Sequence, residues 1–340
     1  MHISTLHLAV FAAFVPGLCT AQTSTSCNPT ENTTCSHDTA LSTAIFGSIF
    51  TEGSSSNTSW KATAGSIVYG SNGAEFIINE KGDAPTIETD FYFFFGLVEV
   101  KMKAASGTGI VSSIVMESDD LDEIDWEILG GNDTSVETNY FGKGNTTSYD
   151  RAIYYPVTTP QSTAHTYSVN WTAASITWLI DGTAVRTLYY ADALSGANYP
   201  QTPMRLKLGI WAGGDSDNSE GTISWAGGET DYSDAPFTMY VESVNITNYS
   251  PGTSYYYNGT TGAWTSIVVV GRSVGSKANS STVGTTAAAS GGVAGVSGTA
   301  AAAMAAESAV SGATGIMVRS GIGAAVAIML VLQLVELALV

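Results

Sequence analysis

The sequence predicts an all-β fold built from two packed antiparallel sheets. Short apolar stretches of strand length recur between turn residues along most of the chain, and long helical periods are missing. In the segment 176–188, Asp181-Gly182 separates two apolar runs, and this dipeptide tolerates the positive φ angles of a tight hairpin turn. A domain of about 240 residues is a usual size for a β-sandwich.

Each strand is predicted where apolar and β-branched residues alternate with polar ones, or run together, between two turns. In chain order these strands are Ser66–Tyr69, Ala74–Ile78, Phe91–Lys103, Ile110–Met116, Glu123–Leu129, Val136–Phe141, His165–Trp171, Ser175–Ile180, Thr183–Tyr190, Met204–Trp211 and Phe237–Tyr249. The sequence contains no internal repeat, so the strands are expected to form one sandwich rather than an array.

Both ends of the chain have the composition of targeting segments. Residues 1–21 combine a short apolar run with small residues, as a cleavable secretory signal does. Residues 271–315 are mostly Ser, Thr, Ala and Gly and predict a disordered stalk. Residues 316–340 end in an apolar tail without a basic flank, which is typical of a GPI-anchor signal that is removed; a spanning helix is the alternative. We therefore expect one folded domain, residues 22–270, outside the cell and tethered to the plasma membrane as a monomer.

Several features fit a secreted protein. Cys19 would leave with the signal, so Cys27 and Cys35 remain as an even pair in an oxidising compartment and are predicted to form a disulfide. Glycosylation sequons begin at Asn32, Asn57, Asn132, Asn145, Asn170, Asn245, Asn248, Asn258 and Asn279. The formal net charge of −18 argues against a nucleic-acid partner, because phosphate backbones are bound by Lys and Arg.

The segment 122–130 carries the strongest chemical signal. Glu123, Asp125 and Glu127 alternate with large apolar residues, so a strand places all three acids on one face and buries the other face in the core. A solvated face is the alternative interpretation. It is disfavoured because neighbouring like charges repel and strands are depleted in Asp and Glu.

The spacing of these acids also indicates a reaction. Glu123 and Glu127 are four residues apart, roughly 13 Å along a strand, and their long side chains can lean together over Asp125. Carboxyl groups about 5 to 5.5 Å apart are what a retaining glycosidase requires, with one ionised nucleophile and one protonated acid. Spacing alone leaves open which glutamate has which role.

A second strand, 204–211, is predicted to face the same cleft. Arg205, Lys207 and Trp211 alternate with apolar residues, so two cations and an indole share one face. An aromatic plane stacks on a pyranose ring, and cations donate to hydroxyls and pair with carboxylates. The alternative is simple compensation of the acidic charge beside an ordinary exposed Trp.

The acidic triplet and its flanks resemble a known family. The sequence EIDWE, residues 123–127, is similar to the E-x-D-x-E signature of glycoside hydrolase family 16, whose fold is a concanavalin-like β-jelly roll. Segments 27–35, 91–101, 137–145, 210–215 and 221–228 are similar to the fungal Crh group of that family. The resemblance spans about residues 27–267. It implies a GPI-anchored enzyme of the cell wall that transfers chitin onto β-glucan.

The same resemblance implies a role for each site residue. Glu123 would be the nucleophile, Glu127 the acid/base and a substrate ligand, and Asp125 their helper. Further substrate ligands implied by it are Lys207, Trp211, Thr222 and Arg205. Among other aromatic candidates, Phe141, Trp225 and Tyr140, the last is favoured as a ligand because it follows Asn139 on a neighbouring strand; packing in the core is the alternative.

No cofactor or metal is predicted, because His37 and His165 have no companions at metal-ligand spacing. Two other functions remain open. An endo-hydrolase of chitin or β-glucan would use the same three acids, with water as the acceptor. A sugar-binding module or a structural wall protein would share the sandwich and stalk but would not need three aligned acids.

Overall fold

The computed structural model describes residues 25–53, 58–148 and 150–272. The predicted signal at 1–21, the stalk beyond residue 272 and the anchor signal at 316–340 lie outside these ranges. Within them, no helix has the length and apolar character needed to cross a bilayer.

The described residues form strands joined by turns. Eighteen strands are defined: β1 Asp38–Thr39, β2 Ile45–Ile49, β3 Trp60–Ala64, β4 Val68–Gly70, β5 Gly73–Ile78, β6 Thr86–Thr89, β7 Gly96–Lys103, β8 Ile110–Ser118, β9 Glu123–Leu129, β10 Ser135–Phe141, β11 Ile153–Pro156, β12 His165–Trp171, β13 Ser175–Ile180, β14 Thr183–Tyr189, β15 Met204–Ala212, β16 Phe237–Asn248, β17 Ser254–Tyr257 and β18 Ile267–Val270. A helix, α1, spans Glu220–Trp225, and short 3-10 turns lie at Phe50–Glu52, Tyr190–Asp192, Leu194–Gly196, Tyr232–Asp234 and Trp264–Ser266.

Two large antiparallel sheets face each other and confirm the predicted sandwich. The inner sheet has the order β11-β10-β9-β8-β15-β6-β3. The outer sheet has the order β14-β13-β12-β7-β16-β5-β4, and β2 pairs with β16. A small third sheet, β1-β17-β18, joins the two ends of the described chain. The Cys27–Cys35 disulfide is formed, as predicted.

The core lies between the large sheets and contains large aromatic side chains. Trp126 of the inner sheet and Trp178 of the outer sheet are fully buried. The Trp126 indole donates to the Ser168 carbonyl at 3.3 Å, and the Trp178 indole donates to the Asp125 carbonyl at 3.1 Å. Each indole satisfies its single donor across the core, as a buried Trp must. The two bonds fix the middle of β9 to the opposite sheet.

The strand predictions succeed best where turns are strong. Residues Glu123–Leu129, His165–Trp171 and Ser175–Ile180 have the predicted bounds. The predicted hairpin is present, with Ile180 opposite Thr183 and positive φ angles at Asp181 and Gly182.

One long predicted strand is wrong in its first half. Residues 91–95 precede β7 instead of extending it, and Phe95 has a φ of 56°. The Phe93 amide donates to Met204 of the inner sheet at 2.9 Å, whereas β7 belongs to the outer sheet. Residues 91–95 therefore connect the two sheets. Their side chains are buried as in a strand, but the segment does not form a continuous ladder with either sheet.

Candidate active site

The acidic face of β9 is the centre of the candidate site. Ile124, Trp126 and Ile128 are at most 1% exposed and point into the core. Glu123, Asp125 and Glu127 occupy the opposite face, where the first two are buried and Glu127 is partly exposed. The alternation predicted from the sequence is therefore confirmed, and the core packing holds the three acids in a fixed row.

The neighbouring strands place a different environment around each acid. Glu123 is opposite Glu117 of β8 and Phe141 of β10. Asp125 is opposite Val115 and Asn139.

Glu127 has neighbours of another kind, because it lies between Ser113 of β8 and Glu137 of β10. Directly opposed side chains in a sheet are about 4.5 to 5.5 Å apart at Cβ, so these neighbours set the electrostatics of each acid.

Burial and neighbouring charges raise the pKa of two of the three acids. Burial, then the charges of Glu123 and Glu127, raise the pKa of Asp125 well above its usual value, and Asp125 is hydrogen-bonded to Glu123. Burial, followed by the charges of Glu137 and Glu123, raises the pKa of Glu127 well above its usual value. Two carboxyl groups with raised pKa next to a third carboxylate can supply a proton and an ionised oxygen from a single strand.

The two predicted cations lie on the site face of β15, and each is paired with an acid. Lys207, in register with Val115 next to Asp125, donates to Glu117 of β8. Arg205 donates to Glu88 of β6 at 2.7 Å, and its guanidinium lies 4.4 Å from the centre of the Tyr92 ring.

These paired cations border a polar cavity of about 250 Å³ at one end of the acidic row. Its lining comprises Thr25, Ser26, Lys61, Glu88, Tyr92, Glu117, Ser118, Asp119, Arg205 and Lys207. Burial raises the pKa of Glu117 to about 7, although Lys207 opposes the shift. This end of the site offers both donors and acceptors to a polar ligand.

The other end of the acidic row is aromatic. Trp211 stacks on Trp225 with ring centres 5.9 Å apart and planes inclined by 24°. Trp225 ends α1, and its indole donates to Glu137 at 2.8 Å. Thr222 lies on the same short helix, where its amide donates to the Ser219 cap. The structure thus places Trp211 and Thr222 on adjoining elements at the end of the row nearer Glu127.

Tyr140 is a correction to the predicted site. It pairs with Ile124, so it lies on the core face of β10, whereas Asn139 lies on the acidic face. Its ring is 6% exposed and contacts the Arg186 guanidinium at 5.4 Å. Successive side chains in a strand point to opposite faces, so Asn139 and Tyr140 cannot both face the cleft.

Two carboxylates of the site were not predicted. Glu137 is 1% exposed and opposite Glu127, and Glu117 is 5% exposed and opposite Glu123. Strand parity could have found Glu137, because it has the same parity as Asn139 in the segment 135–141. Glu117 lies beyond the predicted end of its strand at Met116. Across the described ranges, no group of three His, Cys, Asp or Glu side chains could hold a metal ion.

Comparisons with known proteins agree with this geometry. Residues 54–227 match the model of glycosyl hydrolases family 16. The chain is 60% identical over 276 residues to Crh-like protein 1 of Aspergillus fumigatus, covering 81% of this chain and 74% of that protein. It is 44% identical over 270 residues to Congo red hypersensitive protein 1 of Saccharomyces cerevisiae, covering 78% of this chain and 52% of that protein.

Solved structures with a similar fold include another Crh protein. The structure of Crh5 transglycosylase in complex with NAG matches with a TM-score of 0.70 and 58% identity, covering 72% of this chain and all of that one. A Bacillus licheniformis β-glucanase matches with a TM-score of 0.51 and 24% identity, which concerns the fold alone. The acidic strand, its cations and its aromatic end all lie within the matched part.

Proposed function

The chain belongs to glycoside hydrolase family 16 as a Crh-type glycan transglycosylase. We propose that it cleaves β-1,4-linked chitin and transfers the cleaved chain to β-glucan. The observation that carries the proposal is the row of three acids on one face of β9, whose opposite face is buried in the core. Within the row, Asp125 is hydrogen-bonded to Glu123. NAG, the ligand of the similar transglycosylase structure, is the repeating unit of chitin and supports the choice of donor.

The proposed reaction is a double displacement. Glu127 donates its proton to the glycosidic oxygen while Glu123 attacks the anomeric carbon, so the bond to the leaving chain breaks and a glycosyl ester forms on Glu123. The raised pKa of Glu127 supports its role as the acid, because the group must hold its proton when the donor binds. Asp125 donates a hydrogen bond to Glu123 and keeps the nucleophile in position.

The second step differs only in the acceptor. Glu127, now ionised, takes the proton of an acceptor hydroxyl, and that oxygen attacks the anomeric carbon and displaces Glu123. A β-glucan hydroxyl gives the cross-linked product, whereas water gives hydrolysis. Lys207, Arg205, Trp211 and Thr222 are proposed as glycan ligands on either side of the acids, because they occupy β15 and α1 beside them.

We also propose where the reaction takes place. A signal at 1–21, a catalytic domain at 22–270, a stalk at 271–315 and an anchor signal at 316–340 would place a monomeric domain in the cell wall, tethered by GPI to the outer face of the plasma membrane. Immobile polymer chains then surround the site at high local concentration. If the cleft binds these chains, a glycan hydroxyl is favoured over water as the acceptor.

The test uses chitin oligomers with a fluorescent β-1,3-glucan oligomer and the purified protein. We expect labelled products whose masses combine both sugars. Shortened chitin without any labelled hybrid would make the protein an endo-hydrolase, and unchanged substrates would favour a binding module. Glu123→Gln and Glu127→Gln should each abolish turnover and retain oligosaccharide binding.

The role assignment has a test of its own. A donor with an activated aryl leaving group needs no proton from the enzyme, so Glu127→Gln should still form the glycosyl ester, detected as added mass on the peptide that contains Glu123. Glu123→Gln should give no such adduct. An adduct mapped to Asp125 or Glu127 instead would overturn the assignment.

A further inference from the structure

A fourth carboxylate lies beside the acidic row but outside the EIDWE segment. Glu137 of β10 is in register with Glu127 and is 1% exposed. Two like charges placed directly opposite each other in a sheet reduce stability. A pair of this kind, one member of which is a proposed catalytic group, is the arrangement expected where a proton is controlled rather than where a sheet is merely stabilised.

Two donors hold Glu137 in place. The Trp225 indole donates to its Oε2 at 2.8 Å, and the Tyr154 hydroxyl donates to the same carboxylate from β11, where Tyr154 is its register partner. The positive charge of Arg186 also acts on it. Burial raises the pKa of Glu137, and these contacts limit the rise, because hydrogen bonds and positive charge favour the ionised form of a carboxylate.

The charged groups that act most strongly on Glu127 are acids, Glu137 and Glu123. Its own strand contributes Glu123 and Asp125. From other elements, Ser113 of β8 and Glu137 of β10 are in direct register with it, and its charge also acts on Tyr154 of β11. Glu117 and Lys207 are in register with the Glu123 and Asp125 positions instead, and Arg186 acts on Glu137. Lys207 is engaged with Glu117, opposite Glu123, so the charged group in direct register with Glu127 is Glu137.

We propose that Glu137 is a positioning residue of the transfer reaction: its carboxylate, fixed by Trp225 and Tyr154, keeps Glu127 protonated until the donor glycan has bound. This inference rests on the proposed function. It predicts the pH range over which Glu127 can donate its proton in the first displacement. The ionised Glu137 repels a second negative charge at Glu127, and Glu127 therefore keeps its proton to higher pH.

The variant Glu137→Gln tests the inference. The amide oxygen can still accept from the Trp225 indole, but the charge is gone. We expect the alkaline limb of kcat/KM for chitin oligomers, measured from pH 4 to 9, to move about one pH unit lower, with about tenfold lower activity above the limb and little change below it. The matched control is Glu242→Gln, which removes a carboxylate paired with Lys101 on the outer sheet and should leave the limb in place.

Two results would overturn the inference. One is an alkaline limb that coincides in Glu137→Gln and the wild type; the other is a loss of activity that is equal at every pH, which a purely structural role of Glu137 predicts. If Glu137→Gln does not fold, ¹³C NMR of wild-type protein labelled at the glutamate carboxyls decides the question. Coupling predicts that Glu127, identified by its missing signal in Glu127→Gln, titrates in two steps. A one-step titration contradicts it.

The NMR titration also separates this inference from the proposed function. It needs no turnover, so an inactive wild type would refute chitin transfer while Glu127 could still titrate in two steps. An active wild type with a one-step Glu127 titration would refute the role of Glu137 alone.

Discussion

Lys143 is expected to hold the loop that leads into β9, the strand of the proposed catalytic acids. Its Nζ lies 2.9 Å from Asp122 Oδ1 and 3.2 Å from Asp120 Oδ2, and both carboxylates are fully buried. Asp122 also accepts from the Gln201 amide and the Thr202 hydroxyl, so it joins three chain segments directly before Glu123. Lys143→Met removes the cation and leaves the side-chain volume nearly unchanged.

The magnitude follows from burial. Removing one partner of a buried ion pair typically costs about 3 to 5 kcal/mol, because the remaining charge stays without compensation. Here two carboxylates would remain, and burial followed by the charge of Asp120 already raises the pKa of Asp122. Loss of Lys143 raises the pKa of Asp122 further. Protonation of Asp122 then removes the uncompensated charge and reduces the loss of stability. The free energy of unfolding of Lys143→Met should therefore fall furthest below that of the wild type above neutral pH, and by less at pH 4.5.

Urea unfolding followed by Trp fluorescence at pH 7.5 and pH 4.5 measures both effects. Lys101→Met is the control, because the Lys101–Glu242 pair is half-exposed and such pairs contribute about 0 to 1 kcal/mol. A deficit for Lys143→Met below about 1 kcal/mol, or an equal deficit at both pH values, would refute the reasoning.

Three further predictions concern pH, glycosylation and the cleft. Burial raises the pKa of Asp38 to about 8 and that of Glu117 to about 7, so the folded state holds protons that the unfolded chain has lost above about pH 4. The free energy of unfolding, from urea titrations, should therefore fall as the pH rises from 4.5 to 8, and Asp38→Asn should flatten the upper part of that fall. Asn248 is 2% exposed and its Nδ2 donates to the Leu41 carbonyl, so glycopeptide mapping should find it unmodified; a glycan on Asn248 would contradict the structure. Lys207→Met should lower kcat/KM for chitin oligomers about tenfold through the unpaired Glu117, with Lys207→Arg less affected, and unchanged values would exclude Lys207 from the cleft.

Strand parity explains what the sequence could predict. A strand alternates faces at every residue, so the segment 123–129 defines its buried and acidic faces without any knowledge of its partners. The same rule places Arg205, Lys207 and Trp211 together. The hairpin at Asp181-Gly182 is equally local, because its two residues adopt the backbone angles that the turn requires.

What the sequence could not predict depends on pairing between distant segments. Residues 91–95 are apolar enough for a strand, but Phe93 and β7 bond to different sheets. The short edge strands β3 and β11 and the helix α1 have weak patterns of their own and are held by their neighbours. The prediction that Tyr140 faces the cleft rests on its position after Asn139, although successive residues of a strand point to opposite faces.

The proposed order of the two catalytic roles depends on those distant pairings as well. Along β9 the two glutamates are nearly equivalent, because each flanks Asp125 at the same spacing. Across the sheet they differ. Glu117, opposite Glu123, forms an ion pair with Lys207, whereas Glu137, opposite Glu127, accepts hydrogen bonds from the uncharged Trp225 and Tyr154, and Arg186 acts on it only through its charge. Glu123 also receives the hydrogen bond of Asp125. Negative charge is therefore better tolerated at Glu123 and a proton is better retained at Glu127, which supports nucleophile and acid in that order.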